Sequence, residues 1–193
     1  MAISLKKGQK IDLRKKDSST LKKVRMGLGW DPVKPKGFFA KLFSSDSIDL
    51  DASCILFDKD KVILDIIYYG KLKTADGAII HTGDNLTGEG EGDDESIRVD
   101  LSSIPTKVQY LAFTINSFRG QTFDQVENAF CRLVDESNEK EICRYTLTEK
   151  GKHTGVVMAT LERGSNGWTL KAIGEPGRGR KASEIASDAS LHL

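Results

Sequence analysis

Between His81 and Glu95 the chain reads HTGDNLTGEGEGDDE, and no Lys or Arg occurs from Thr74 to Ile97. Six carboxylates crowd this stretch: Asp84, Glu89, Glu91, Asp93, Asp94 and Glu95. Gly83, Gly88, Gly90 and Gly92 stand among them. Carboxylates this dense repel one another in a folded chain, so the segment is expected to be a loop that needs a positive partner. Glycine turns tightly and reaches conformations closed to other residues, so carboxylates and backbone carbonyls can converge on one point. An oxygen-only, cation-free loop suits a hard divalent ion such as Ca²⁺, which takes about 6–8 oxygen ligands. The same loop is a poor cradle for phosphate.

The rest of the chain reads as short strands. Ile3–Leu5 and Lys10–Leu13 alternate in polarity, and Leu21–Leu28 reads as a third strand closed by a turn at Gly29–Pro32. Val33–Ser47 is expected to be an exposed loop anchored by Phe38, Phe39 and Phe43. Ile48–Phe57 starts acidic and ends apolar, and Lys61–Tyr69 is rich in β-branched and aromatic residues. Ile79–His81 leads into the acidic loop, Ser96–Leu101 leaves it, and Val108–Ile115 has the composition of a central strand. Thr122–Ala129 reads as one or two helical turns. Four more strands follow at Ala129–Val134, Glu141–Leu147, Gly155–Leu161 and Gly167–Ile173. This spacing predicts an all-β chain with minor α content, an antiparallel β-sandwich of two packed sheets carrying one or two short helices. The domain is expected over 1–174, with 175–193 a polar C-terminal tail holding a short helix near Ala182–Ala189.

Composition narrows the function classes. The 193 residues carry a net charge of +1, which hides a basic segment over 1–41 and an acidic middle. No apolar run is long enough to span a bilayer, and the first residues lack the apolar core of a signal peptide. Cys54, Cys131 and Cys143 are odd in number and lie in apolar, strand-like contexts, as expected of reduced core thiols in a cytoplasmic protein.

The candidate metal ligands come from two segments. The loop offers Asp84, Asn85, Gly88, Gly90, Asp93, Asp94 and Glu95, with Glu89 and Glu91 as further candidates. Asp49 and Asp51 stand two apart on a strand and therefore share a face, and Asp31 is a further candidate. An EF-hand does not fit: with Asp84 as position 1, Leu86, Gly88 and Glu89 occupy positions that need acids and the obligatory glycine. His81, His153 and His192 form no zinc spacing with the cysteines, and His81 reads as a surface histidine beside the loop. This many acids suit two neighbouring ions. Paired ions could also serve an enzyme of phosphoryl transfer or nucleotide processing, although no base is legible and only Arg98 and Arg119 stand as candidate clamps.

Five motifs together resemble the TerD/TerZ tellurium-resistance family: GLGWD (Gly27–Asp31), DLDAS (Asp49–Ser53), the run His81–Glu95, RGQTFDQVENAFCRLVD (Arg119–Asp135) and HTGVVMA (His153–Ala159). The phenylalanine-bearing segment near Phe38 and Ile115–Phe118 are most similar to the TerZ branch. The resemblance implies a cytoplasmic, Ca²⁺-binding β-sandwich of a bacterial stress operon, and gives a metal and a context rather than a reaction; a non-catalytic Ca²⁺-dependent binding or sensor module is the expected function. It implies that Asp49, Asp51, Asp84, Asp93, Asp94 and Glu95 form the ion sites. It also implies partners among the other tellurite-resistance operon proteins at the inner membrane surface; nucleic acid is not indicated.

Overall fold

The structure, a computed structural model, describes residues 2–14, 20–32, 49–83 and 92–193. Twelve strands form two six-stranded sheets in these residues. In the first sheet lie β1 (Ile3–Leu5), β3 (Lys23–Pro32), β6 (Ile79–His81), β7 (Glu95–Asp100), β9 (Val126–Asp135) and β10 (Lys140–Thr146). They run in the order β1-β10-β9-β3-β7-β6. The second sheet holds β2 (Lys10–Asp12), β4 (Leu50–Phe57), β5 (Ile63–Ile67), β8 (Tyr110–Ser117), β11 (Gly155–Gly164) and β12 (Gly167–Gly177), in the order β2-β12-β11-β8-β4-β5. All pairings are antiparallel except β1 with β10. The expected sandwich is therefore present, with one parallel edge pair added.

Alternation explains which face each strand buries. On β3, Val24, Met26, Leu28 and Trp30 point between the sheets, and Arg25 and Gly27 fall on the opposite face of the pleat. The β4 strand sends Leu50, Ala52, Cys54 and Leu56 into the same layer. Every residue of β4 is buried, however. The α-helix of the described residues, α1 (Ala182–Ser190), lies across the outside of the second sheet and covers Ile55, Phe57, Ala112, Val157 and Ile173 with Ile185, Ala186 and Ala189. A strand covered on both faces reads as a continuous apolar run, which is why Val108–Ile115 had a central-strand composition. Its strand, β8, lies between β11 and β4.

Three local expectations are corrected. No turn separates Leu28 from Pro32: β3 runs through Gly29 and Trp30, with a bulge between Gly29 and Asp31 opposite β9. The Thr122–Ala129 stretch holds a single 3-10 turn, Phe123–Gln125, and is already strand from Val126. The apolar residues there repeat every three, which suits a 3-10 turn feeding a strand as well as a helix. The strand expected over Gly167–Ile173 runs on past Gly174 and reaches Gly177.

The segment expected as a polar tail carries the short helix that was anticipated, and its apolar stripe is seated by glycine. A Cβ on Gly155 or on Gly177 would stand 2.7 or 2.6 Å from Ile185 atoms. These two positions hold no side chain because Ile185 fills the space. Ile185→Ala is expected to cost about 2–5 kcal/mol, the range for a buried isoleucine truncated to leave a cavity. Urea unfolding measures it as a lower midpoint at unchanged slope; a loss under about 1 kcal/mol would show that α1 is only loosely docked.

Candidate metal centre

The acidic corner is assembled where β3, β4, β6 and β7 end together. Pairing of β3 with β7 finishes at Leu28 opposite Glu95. Beyond that point the Asp94 N–H donates to the Leu28 carbonyl at 2.9 Å, and the Asp94 Oδ2 accepts the Trp30 N–H at 2.8 Å. Asp94 thus continues the ladder with its side chain. Burial, together with the neighbouring carboxylates of Asp31, Glu95 and Asp93, pushes the Asp94 pKa above its ordinary value, against the Trp30 hydrogen bond that lowers it.

Glu95 points inward and bridges the sheets. Because β5 pairs with β4 only from Cys54 onward, the Ala52 N–H and carbonyl face no strand among the described residues on that side. Glu95 Oε2 accepts the Ala52 N–H at 2.7 Å. His81 Nε2 lies 3.2 Å from the Ala52 carbonyl and 3.2 Å from Glu95 Oε2. His81 Nδ1 accepts the Gly83 N–H at 3.1 Å, which places the ring proton on Nε2. Both side chains are wholly buried. The expectation of a surface histidine is corrected: His81 faces the core because its neighbour Ile80 takes the outer face of β6.

Asp93 turns to the opposite side. Its carboxylate lies on the outer face of the first sheet, where Arg132 donates to it twice, Nε to Oδ1 at 2.6 Å and Nη2 to Oδ2 at 3.1 Å. Arg132 also meets Glu141 at 3.2 Å, and the hydrogen bond to Asp93 raises its pKa. The carboxylate rests on Gly27, the cross-strand neighbour of Arg132, and a Cβ at Gly27 would collide with it. Gly27→Ala is accordingly expected to cost about 1–3 kcal/mol by overpacking, read as a lower melting temperature. Arg132→Gln in the Gly27→Ala background should cost less than in wild type, because the ion pair is already broken; full additivity would contradict this.

Asp49 and Asp51 are both buried, at 6% and 5% exposure, although both are acidic. Arg119 Nε reaches Asp49 Oδ2 at 3.0 Å, while Asp49 Oδ1 is buried with no hydrogen-bond partner among the described residues. Asp51 is the cross-strand neighbour of Asn116 and lines a cleft on the outer face of the second sheet. Asp31 Oδ2 accepts from Asn128 at 2.8 Å.

These positions gather at one end of the sandwich, yet the side chains diverge. Among the described residues no three His, Cys, Asp or Glu side chains come together as a metal cluster. Asp84, Asn85, Gly88, Glu89, Gly90 and Glu91 lie outside the described residues. Oxygen donors suit Ca²⁺ by type, and the orphaned Asp49 Oδ1 is an acceptor that a cation would satisfy. Sequence reading missed Arg132, whose alternation with buried Cys131 and Leu133 was the available signal. The expectation for the thiols can be followed directly: burial raises the pKa of Cys54 and Cys131 far above the ordinary range and that of Cys143 to about 12. Thiolate is scarce in all three at neutral pH.

Comparison with known proteins decides the family. The TerD domain model matches residues 1–188. This chain belongs to the TerD family. Tellurium resistance protein TerZ of Serratia marcescens is 53% identical over 187 residues, covering 96% of each chain. Stress response protein SCP2 of Bacillus subtilis is 41% identical, covering 97% of this chain and 98% of that one. A solved homologue of telluride resistance protein TerD from Streptomyces coelicolor A3(2) superposes with a TM-score of 0.65 at 18% identity, over 86% of this chain and 95% of that one. At that sequence distance the likeness shows the shared fold. No helix among the described residues is long and apolar enough to cross a membrane.

Proposed function

We propose that this TerD-family chain is a calcium-binding stress-response protein, a binding and sensing module without catalysis. The observation that supports the reading best is Asp49: a buried carboxylate with one oxygen on Arg119 and the other without a donor among the described residues. A buried acceptor left unsatisfied costs about 1–3 kcal/mol, and a bound cation would remove that cost.

In this reading Asp49, Asp51 and Asp94 contribute oxygens directly. Asp84, Asn85, Gly88 and Gly90 complete the coordination of two Ca²⁺ ions. Asp93 and Glu95 hold the exit of the loop, one through Arg132 and the other through Ala52 and His81. Asp31, Glu89 and Glu91 are outer candidates. Calcium would fix the loop between the sheets and complete a surface for a partner. The relatives' names support a role in tellurium resistance and stress response; a cytoplasmic place beside other tellurite-resistance proteins at the inner membrane surface is part of the same proposal.

Isothermal calorimetry tests this. Saturable Ca²⁺ heat is expected at or below ~1 mM, within the range of calcium modules, with Asp49→Asn and Asp94→Asn each weakening it about tenfold, as expected when one charge-assisted contact is lost. Absence of heat, or unchanged affinity in both variants, would remove the proposal.

A further inference from the structure

The acids gather at one end of the sandwich; at the other end the charge changes sign. β3 starts at Lys23 and reaches Pro32 beside the acidic corner, so its two ends stand roughly 30 Å apart. Next to its start lies a cleft of about 790 Å³, within the usual span of small-molecule sites, roughly 300–1,000 Å³. Three segments build it. The Leu101 N–H donates to the Lys22 carbonyl at 2.7 Å, Arg14 bridges to Thr20, and the Ser165-Asn166 turn closes the hairpin of β11 and β12. Gly167, at φ +123°, lets that hairpin come up against Thr20: a Cβ there would stand 3.1 Å from the threonine methyl.

Arg14, Lys22 and Arg163 line this cleft, and no carboxylate does among the described residues. Asp100, just before Leu101, is turned elsewhere: it accepts the Ser102 N–H at 3.1 Å and lies 3.7 Å from Lys23 Nζ. Arg163 is held firmly. Its Nε donates to the Val108 carbonyl at 2.9 Å, and its Nη2 donates to the Ile104 and Pro105 carbonyls at 3.1 and 3.2 Å. The guanidinium rests 4.4 Å from the centre of the Trp168 ring. Burial pushes its pKa below the ordinary value, with no carboxylate to offset that. The carbonyls satisfy N–H groups without cancelling the charge, and a desolvated charge with no counter-charge is costly. Its Nη1 keeps donors free among the described residues. Arginine's planar fork suits phosphate oxygens.

We infer that this cleft binds a phosphate group. Arg163 is the preset donor in the wall, and Arg14 and Lys22, both exposed, supply the remaining positive charge. Those two residues belong to the basic stretch 1–41, whose charge the calcium reading leaves unused. The site takes none of the carboxylates assigned to calcium. A soluble phosphate ester and the headgroup of a phosphomonoester lipid present the same chemistry here.

The test titrates the calcium-stripped full chain with inorganic phosphate at constant ionic strength, followed by amide NMR, with acetate as the control. Saturable shifts are expected at Arg14, Lys22, Ser102 and Ser165–Gly167, with a Kd of about 1 mM. Acetate should bind at least about tenfold more weakly, since it carries one charge and fewer acceptor oxygens. Arg14→Gln and Lys22→Gln alter exposed side chains and leave the fold testable; each should weaken phosphate by about three- to tenfold. Vesicles of phosphatidylcholine carrying phosphatidic acid separate the two sources. Co-sedimentation that inorganic phosphate reverses and Lys22→Gln weakens places the group on a lipid; saturable phosphate shifts without co-sedimentation place it on a soluble ester. No saturable shift in the cleft, equal binding of acetate, or unchanged affinity in both variants would overturn the assignment. Because calcium is absent throughout, failure here and failure of calcium binding are separate results.

Discussion

Glu95→Ala, unfolded in the presence of chelator, is expected to lose about 2–4 kcal/mol, because a buried donor loses its acceptor and the truncation leaves a cavity. The reason is positional. Glu95 Oε2 is the acceptor for an Ala52 N–H that no strand among the described residues reaches, and it lies beside the His81 Nε2 proton. Alanine strands the Ala52 N–H in a dry layer between the sheets and leaves the His81 Nε2 proton to the Ala52 carbonyl. For a domain of this size the loss corresponds to a fall in melting temperature of roughly 10 °C. Glu95→Gln keeps an oxygen for Ala52 and should lose clearly less. Chelator separates this structural role from any role in ion binding. A Glu95→Ala chain within about 1 kcal/mol of wild type would mean that the cross-sheet contact carries little stability.

Calcium is expected to move stability in the other direction. A ligand that binds only the native state adds about 2.7 kcal/mol at a hundred times its Kd, worth roughly 5–10 °C of melting temperature here. Magnesium at equal concentration should do much less, because it gives up water reluctantly and demands a strict octahedron. Asp49→Asn, with a tenfold weaker site, should remove about half of the calcium increment at the same concentration while costing little in chelator, since the amide keeps an oxygen toward Arg119. A melting curve indifferent to millimolar calcium would contradict the proposed function.

The fold was largely legible in the sequence because strand period and turn residues are local signals. β4, β5, β7 and β8 each lie within a residue or two of their expected bounds. The errors fall where a local signal had two readings. Gly29-Trp30-Asp31-Pro32 looks like a turn, yet Trp30 is 2% exposed and pairs through Asp94. Glycine was there for the close approach of Phe130, whose ring would stand 2.5 Å from a Cβ on Gly29. At the acidic corner, the residues were legible and their directions were not. A DDE triplet says nothing about which acid meets Arg132, which caps β3 and which crosses to Ala52. Those outcomes depend on strands distant in sequence: Arg132 lies 39 positions from Asp93, and Ala52 lies 43 from Glu95.

An NMR titration with Ca²⁺, following backbone amides of the full chain, tests the central claim most directly. The account predicts saturable shifts at both Asp49–Ala52 and Gly92–Glu95, with the same midpoint, because one ion-filled loop joins the two segments. Shifts confined to one segment, or none up to several millimolar, would show that the two groups of acids do not share an ion.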